Sequence, residues 1–175
     1  MEKPLIAASL LVLSFSAVRA DDAKSPPPTC AAVEYRQFDF WAGDWNVTQN
    51  GKPAGTNRIE KILGGCALLE HWEGAGGSRG NSLNYYDAVR HVWHQTWIDN
   101  QGAPLELDGG LEGGNMVLTG NTKDPASGAA VVNRLTWTLR PDGKVRQHWE
   151  TSTDGGKTWR TAFDGLYARK SLSLP

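Results

Sequence analysis

From Phe38 onward the chain alternates apolar and polar residues with a period of two, the spacing of a strand with one face buried and one in water. Turn-forming glycines break this alternation roughly every 8 to 12 residues, the rhythm of an all-β sandwich or barrel. The interruptions are Asn50-Gly51, Gly64-Gly65, Gly74 to Gly80, Asn100-Gln101-Gly102, Gly109-Gly110, Gly113-Gly114, Asp142-Gly143 and Asp154-Gly155-Gly156. Between them the pattern predicts strands at 44–50, 55–63, 66–74, 80–87, 91–99, 104–109, 114–120, 130–140, 144–152 and 158–169. An apolar stripe of helical period is confined to Ala31 to Gln37, enough for a short helical turn. Ten successive strands joined mostly by tight turns predict an all-β, antiparallel up-and-down barrel over 35–170, because consecutive hairpins close a sheet without crossing connections.

The tryptophans decide which face is inward. Trp45, Trp72, Trp93, Trp97, Trp137 and Trp149 fall inside predicted strands or at a strand start, where large aromatics fill a small barrel or line its pocket. Parity groups Leu68, Glu70 and Trp72 on one face of the third strand, Ser82, Asn84 and Tyr86 on the fourth, and Trp93, Gln95, Trp97 and Asp99 on the fifth. The opposite faces carry His71, Glu73, His94 and Thr96, so the tryptophan face is the one expected inside. Glu70, Asn84 and Gln95 are then polar anchors, and Trp72, Trp93, Trp97 and Trp149 walls, of a mostly apolar cavity suited to a small apolar or amphipathic molecule.

Residues 1–20 read as a signal peptide: Lys3 is the basic start, Leu5 to Ala17 the apolar run, and Val18-Arg19-Ala20 the small-residue cleavage pattern. The run falls short of the roughly 18 to 20 apolar residues that a membrane span needs. Residues 21–34, with Pro26-Pro27-Pro28, form a proline-rich leader, and the expected location is periplasmic or secreted. A net charge of −1 with no basic run argues against nucleic acid or an anionic membrane surface as partner. Cys30 and Cys66 either form a disulfide, closing a loop of about 36 residues, or leave a free thiol in the leader and a small buried side chain at 66.

Catalytic signatures are sparse. His91 and His94 are three apart on a predicted strand and point to opposite faces, and H-E-x-x-H, C-x-x-C, Gly-x-Ser-x-Gly and phosphate-loop motifs do not occur, so no metal or cofactor is expected. Glu70 is the one candidate acid or base, since a carboxyl group among indoles is held toward its neutral form. Ser152 to Trp159 matches the pattern S-x-D-x-G-x-T-W and resembles the Asp-box hairpin of sialidase-type propellers. In a single copy it reads as a structural turn, with Asp154 bonding local amides and Trp159 packed beneath.

Four stretches together carry a family resemblance: Phe38-Asp39-Phe40-Trp41-Ala42-Gly43-Asp44-Trp45, Gly64 to Trp72, Trp93 to Asp99, and Asp154 to Arg169. The chain resembles a family of exported bacterial proteins with a lipocalin-like (calycin) barrel over about Tyr35 to Lys170. The resemblance implies a calycin-type barrel and no established activity. It implies that the aromatic turn closes one barrel end, that Gly43 bends the chain into the first strand, that Trp45 is the floor, and that Arg169 covers the Trp45 indole. Two functions follow as expectations: binding of a small apolar or amphipathic molecule in the barrel, or an isomerase or hydratase using Glu70.

Overall fold

The computed structural model describes residues 30–171. The expected signal peptide at 1–20 and the leader as far as residue 29 lie outside the described residues. Two short 3₁₀ turns, Val33–Arg36 and Asp39–Trp41, precede ten strands. These are β1 (Gly43–Gln49), β2 (Lys52–Ile62), β3 (Ala67–Gly74), β4 (Arg79–Asp87), β5 (Val92–Asp99), β6 (Pro104–Glu112), β7 (Asn115–Lys123), β8 (Ala130–Leu139), β9 (Val145–Ser152) and β10 (Arg160–Arg169). Each strand pairs antiparallel with the next, and β10 returns to β1 to close the barrel, as the alternation predicts. Closure removes both sheet edges, so every strand is paired on both sides.

The strands differ most from expectation where glycine or proline sits inside an element. Gly109 and Gly110 lie within β6 and do not form a turn; a Cβ on Gly109 would collide with the Val117 carbonyl oxygen on β7, so the glycine permits close approach of the backbones. The turn falls instead at Gly113 and Gly114, both with positive φ. Pro53 is accommodated at a register shift opposite Val47 and Thr48, where β2 bulges and needs no continuous ladder.

One barrel end is plugged by the aromatic turn. Phe38 and Trp41 are fully buried and stacked, with centroids 4.9 Å apart, and Phe38 meets Trp93 and Trp137 edge-on at 5.6 and 5.1 Å. Trp45, also fully buried, donates its indole N–H to the Trp41 carbonyl at 2.8 Å. Cys30 and Cys66 form a disulfide with Cα atoms 5.1 Å apart, tying the segment before the plug to the turn that enters β3. Arg36 reinforces this tie by donating to the carbonyls of Cys30 and Gly65.

Candidate ligand-binding site

The opposite barrel end holds a cavity of about 420 Å³, within the usual range for small-molecule pockets. Trp72, Trp97, Trp149 and Phe163 are its large aromatic walls, and Glu70, Gln95, Gln147 and Tyr167 its polar groups. Leu105 and Leu135 complete the inner lining, and Gln49, Pro53, Ala54 and the β3–β4 turn stand at the rim.

Strand register assembles the polar side. Glu70 pairs across β3–β4 with Ser82, which pairs across β4–β5 with Trp97; one step along, Leu68, Asn84 and Gln95 form the parallel row. All these side chains share the inward face, so their polar ends meet in the interior. Ser82 Oγ donates to Glu70 Oε2 at 2.5 Å and Asn57 Nδ2 to Glu70 Oε1 at 2.7 Å. Asn84 Nδ2 donates to Ser82 Oγ at 2.8 Å, and Gln95 Nε2 to Asn84 Oδ1 at 2.6 Å. Glu70 is 4% exposed, and burial raises its pKa to about 6, although the Ser82 and Asn57 hydrogen bonds oppose the shift.

Across the barrel the Tyr167 hydroxyl donates to Gln147 Oε1. Burial, with the nearby Glu70 carboxyl adding to it, holds Tyr167 well above the usual phenol range and therefore neutral. The Trp149 indole donates to Asn133 Oδ1 at 3.0 Å, and Asn133 Nδ2 in turn to Thr122 Oγ1 at 2.9 Å, which fixes that wall in place. Three walls lean over glycines: a Cβ on Gly80 would collide with the Trp97 ring, one on Gly165 with the Phe163 ring, and one on Gly55 would lie 2.9 Å from Trp72. Glycine inside these strands is the space in which the rings lie.

Of the residues expected to form a binding pocket, Glu70, Trp72, Gln95, Trp97 and Trp149 line this cavity. Asn84 and Trp93 are corrections, since neither lines it. Asn84 is fully buried between Ser82 and Gln95, one layer below the surface of the cavity. Trp93, 2% exposed, packs on the aromatic plug and donates to Gln37 Oε1, because β5 runs from the closed end to the open one and only Trp97 reaches the latter. His91 is likewise corrected: it sits in the turn before β5 with φ 56° and lies 3.3 Å from the Tyr86 hydroxyl. Asp154 accepts from the Lys157 and Thr158 amides and the Thr158 and Ser152 hydroxyls. Trp159 lies against Gly156 and beneath the Arg134 guanidinium, 3.9 Å from its carbon, and does not line the cavity.

Gln147, Phe163 and Tyr167 are site residues that sequence reasoning passed over, as are the supporting Asn57 and Asn133. Parity offered a signal for three of them: Gln147 shares a face with Trp149, and Phe163 and Tyr167 share one with Arg169. Among the described residues no cluster of three or more His, Cys, Asp and Glu is arranged to hold a metal ion, and no helix is long and apolar enough to cross a membrane. No family model matches the sequence, and no curated protein matches it.

Proposed function

We propose that the protein binds a small apolar or amphipathic molecule inside the barrel. The observation that carries this reading is the 420 Å³ cavity, walled by Trp72, Trp97, Trp149 and Phe163 and provided with a polar floor at one side. A barrel stabilised for its own sake fills its interior; here one end is packed solid by the aromatic plug while the other keeps its large rings at the edge of a void. The Cys30–Cys66 disulfide and the signal-like start together support export to the periplasm or beyond. Native mass spectrometry of protein purified from its own organism tests the reading: the expected result is a retained small molecule released on unfolding. Empty protein that also takes up no added amphiphile contradicts it.

A second reading, a calycin-type isomerase or hydratase, draws on Glu70 alone. A carboxyl group with its pKa near 6 at the edge of a cavity is suited to proton transfer at neutral pH. This reading requires turnover of the bound molecule, and a loss of about a hundredfold in that turnover when Glu70→Gln removes the titrating proton.

A further inference from the structure

Glu70 is a buried carboxyl group whose protein partners are both neutral. Asn57 and Ser82 donate to its two oxygens, and no lysine, arginine or histidine among the described residues lines the cavity. Buried carboxylates are almost always paired with a cation, because two neutral hydrogen bonds do not replace the hydration lost. The surrounding groups do not supply that cation. Tyr167 is the other titratable group on the cavity wall and is neutral.

The remaining hydrogen-bonding capacity points the same way. Gln95 spends a donor on Asn84, and its side-chain carbonyl oxygen accepts no hydrogen bond among the described residues, while Gln95 and Glu70 line the same cavity. The floor next to β3 thus offers carboxylate and carbonyl oxygens, both acceptors. The large walls are indole and phenyl rings, Trp72 and Trp97 on the Glu70 side and Trp149 and Phe163 across the barrel, whose faces attract cations. The polar groups across the barrel, Gln147 and Tyr167, are neutral. An anionic head group entering this cavity meets a carboxylate and finds no basic side chain.

From these groups we infer that the occupant is an organic cation: a protonated amine on a small apolar body, its N–H bonds directed to Glu70 and Gln95 and its body held between Trp72, Trp97, Trp149 and Phe163. The inference rests on reading the cavity as a binding site, and it adds the charge of what is bound. It also separates this barrel from one built to hold a fatty acid, where a basic residue has to meet the carboxylate.

The test is a calorimetric comparison of octylamine, octan-1-ol and octanoate at about pH 8, using protein with its disulfide intact. The three probes share a chain and differ in head group. The expected order is octylamine tightest, octan-1-ol about tenfold weaker, and octanoate weaker again by a similar factor. Glu70→Gln should bring octylamine to within about threefold of octan-1-ol. Equal affinity for all three, or a preference for octanoate, overturns the charge assignment and leaves the binding function standing. Failure of every probe to bind at millimolar concentration overturns both. Because the wild-type ranking alone decides between these outcomes, a poorly folding variant does not blunt the test.

Discussion

The guanidinium carbon of Arg169, at the end of β10, lies 4.2 Å from the centre of the Trp45 ring at the start of β1. The two residues are also direct partners across the strand pair that closes the barrel. Arg169 Nη1 donates to the Ala42 carbonyl at 2.8 Å, and a Cβ on Gly43 would collide with that nitrogen. Gly43, Trp45 and Arg169 therefore act as one clasp: the glycine, at φ 134°, makes room for the cation that covers the indole.

The clasp predicts a graded series. Trp45→Ala should lower unfolding free energy by about 3 to 5 kcal/mol, as a large-to-small change at a fully buried site. Gly43→Ala should cost about 1 to 3 kcal/mol through backbone strain and displacement of Arg169, and Arg169→Ala about 0.5 to 1 kcal/mol. Urea unfolding at constant slope checks the order; a Trp45→Ala cost below that of Arg169→Ala contradicts it.

Reduction of the Cys30–Cys66 bond should destabilise by about 3 to 4 kcal/mol, the loop entropy of 36 residues of separation. The same loss is expected in a Cys30→Ser, Cys66→Ser double variant, measured without reductant. A midpoint unmoved by either treatment would show that the barrel holds its plug unaided.

The barrel was legible because period-two patterning and glycine spacing are local signals, and the inward face followed from Trp72, Trp93 and Trp97 by parity alone. Depth along the barrel was not legible. Trp93 and Trp97 share a face, yet one packs on the plug and the other walls the cavity, and only the position of the plug distinguishes them. Nor did parity reveal that Gly80, Gly109 and Gly165 act as space for a ring or a facing backbone, since a glycine reads in sequence first as a turn. That Gln147, Phe163 and Tyr167 meet Glu70 around one void depends on barrel closure bringing β9 and β10 together with β3 and β5, a long-range relation that the face they share with Trp149 and Arg169 does not by itself encode.

Glu70 predicts a pH dependence with a definite sign. Its folded pKa, about 6, stands above the ordinary value of 4.5, so the folded state binds more protons than the unfolded chain between those two values. Stability from this group is fully present below about pH 4.5 and is lost as pH rises through about 6. The wild type should therefore lose about 2 kcal/mol relative to Glu70→Gln between about pH 4 and pH 7. Tyr167, raised and neutral, does not titrate in that window. Paired urea titrations of the two proteins at each pH read the difference directly, and a difference flat with pH would place the Glu70 carboxyl in contact with water.

Cavity volume is controlled by Gly80 without any change to the polar groups. A Cβ at this position would collide with the six-membered ring of Trp97 and come within 2.9 Å of the Ile98 carbonyl oxygen. The backbone is fixed by β4–β5 pairing, so the side chain is the part that yields, and the space open to it is the cavity. Gly80→Ala should accordingly weaken octan-1-ol binding by about tenfold. Adding Trp97→Val removes the displaced ring and should restore most of that loss, a coupling that independent sites do not show. Calorimetry on the single and double variants checks this: if the double variant binds no better than Gly80→Ala alone, Trp97 is not the wall that sets the volume.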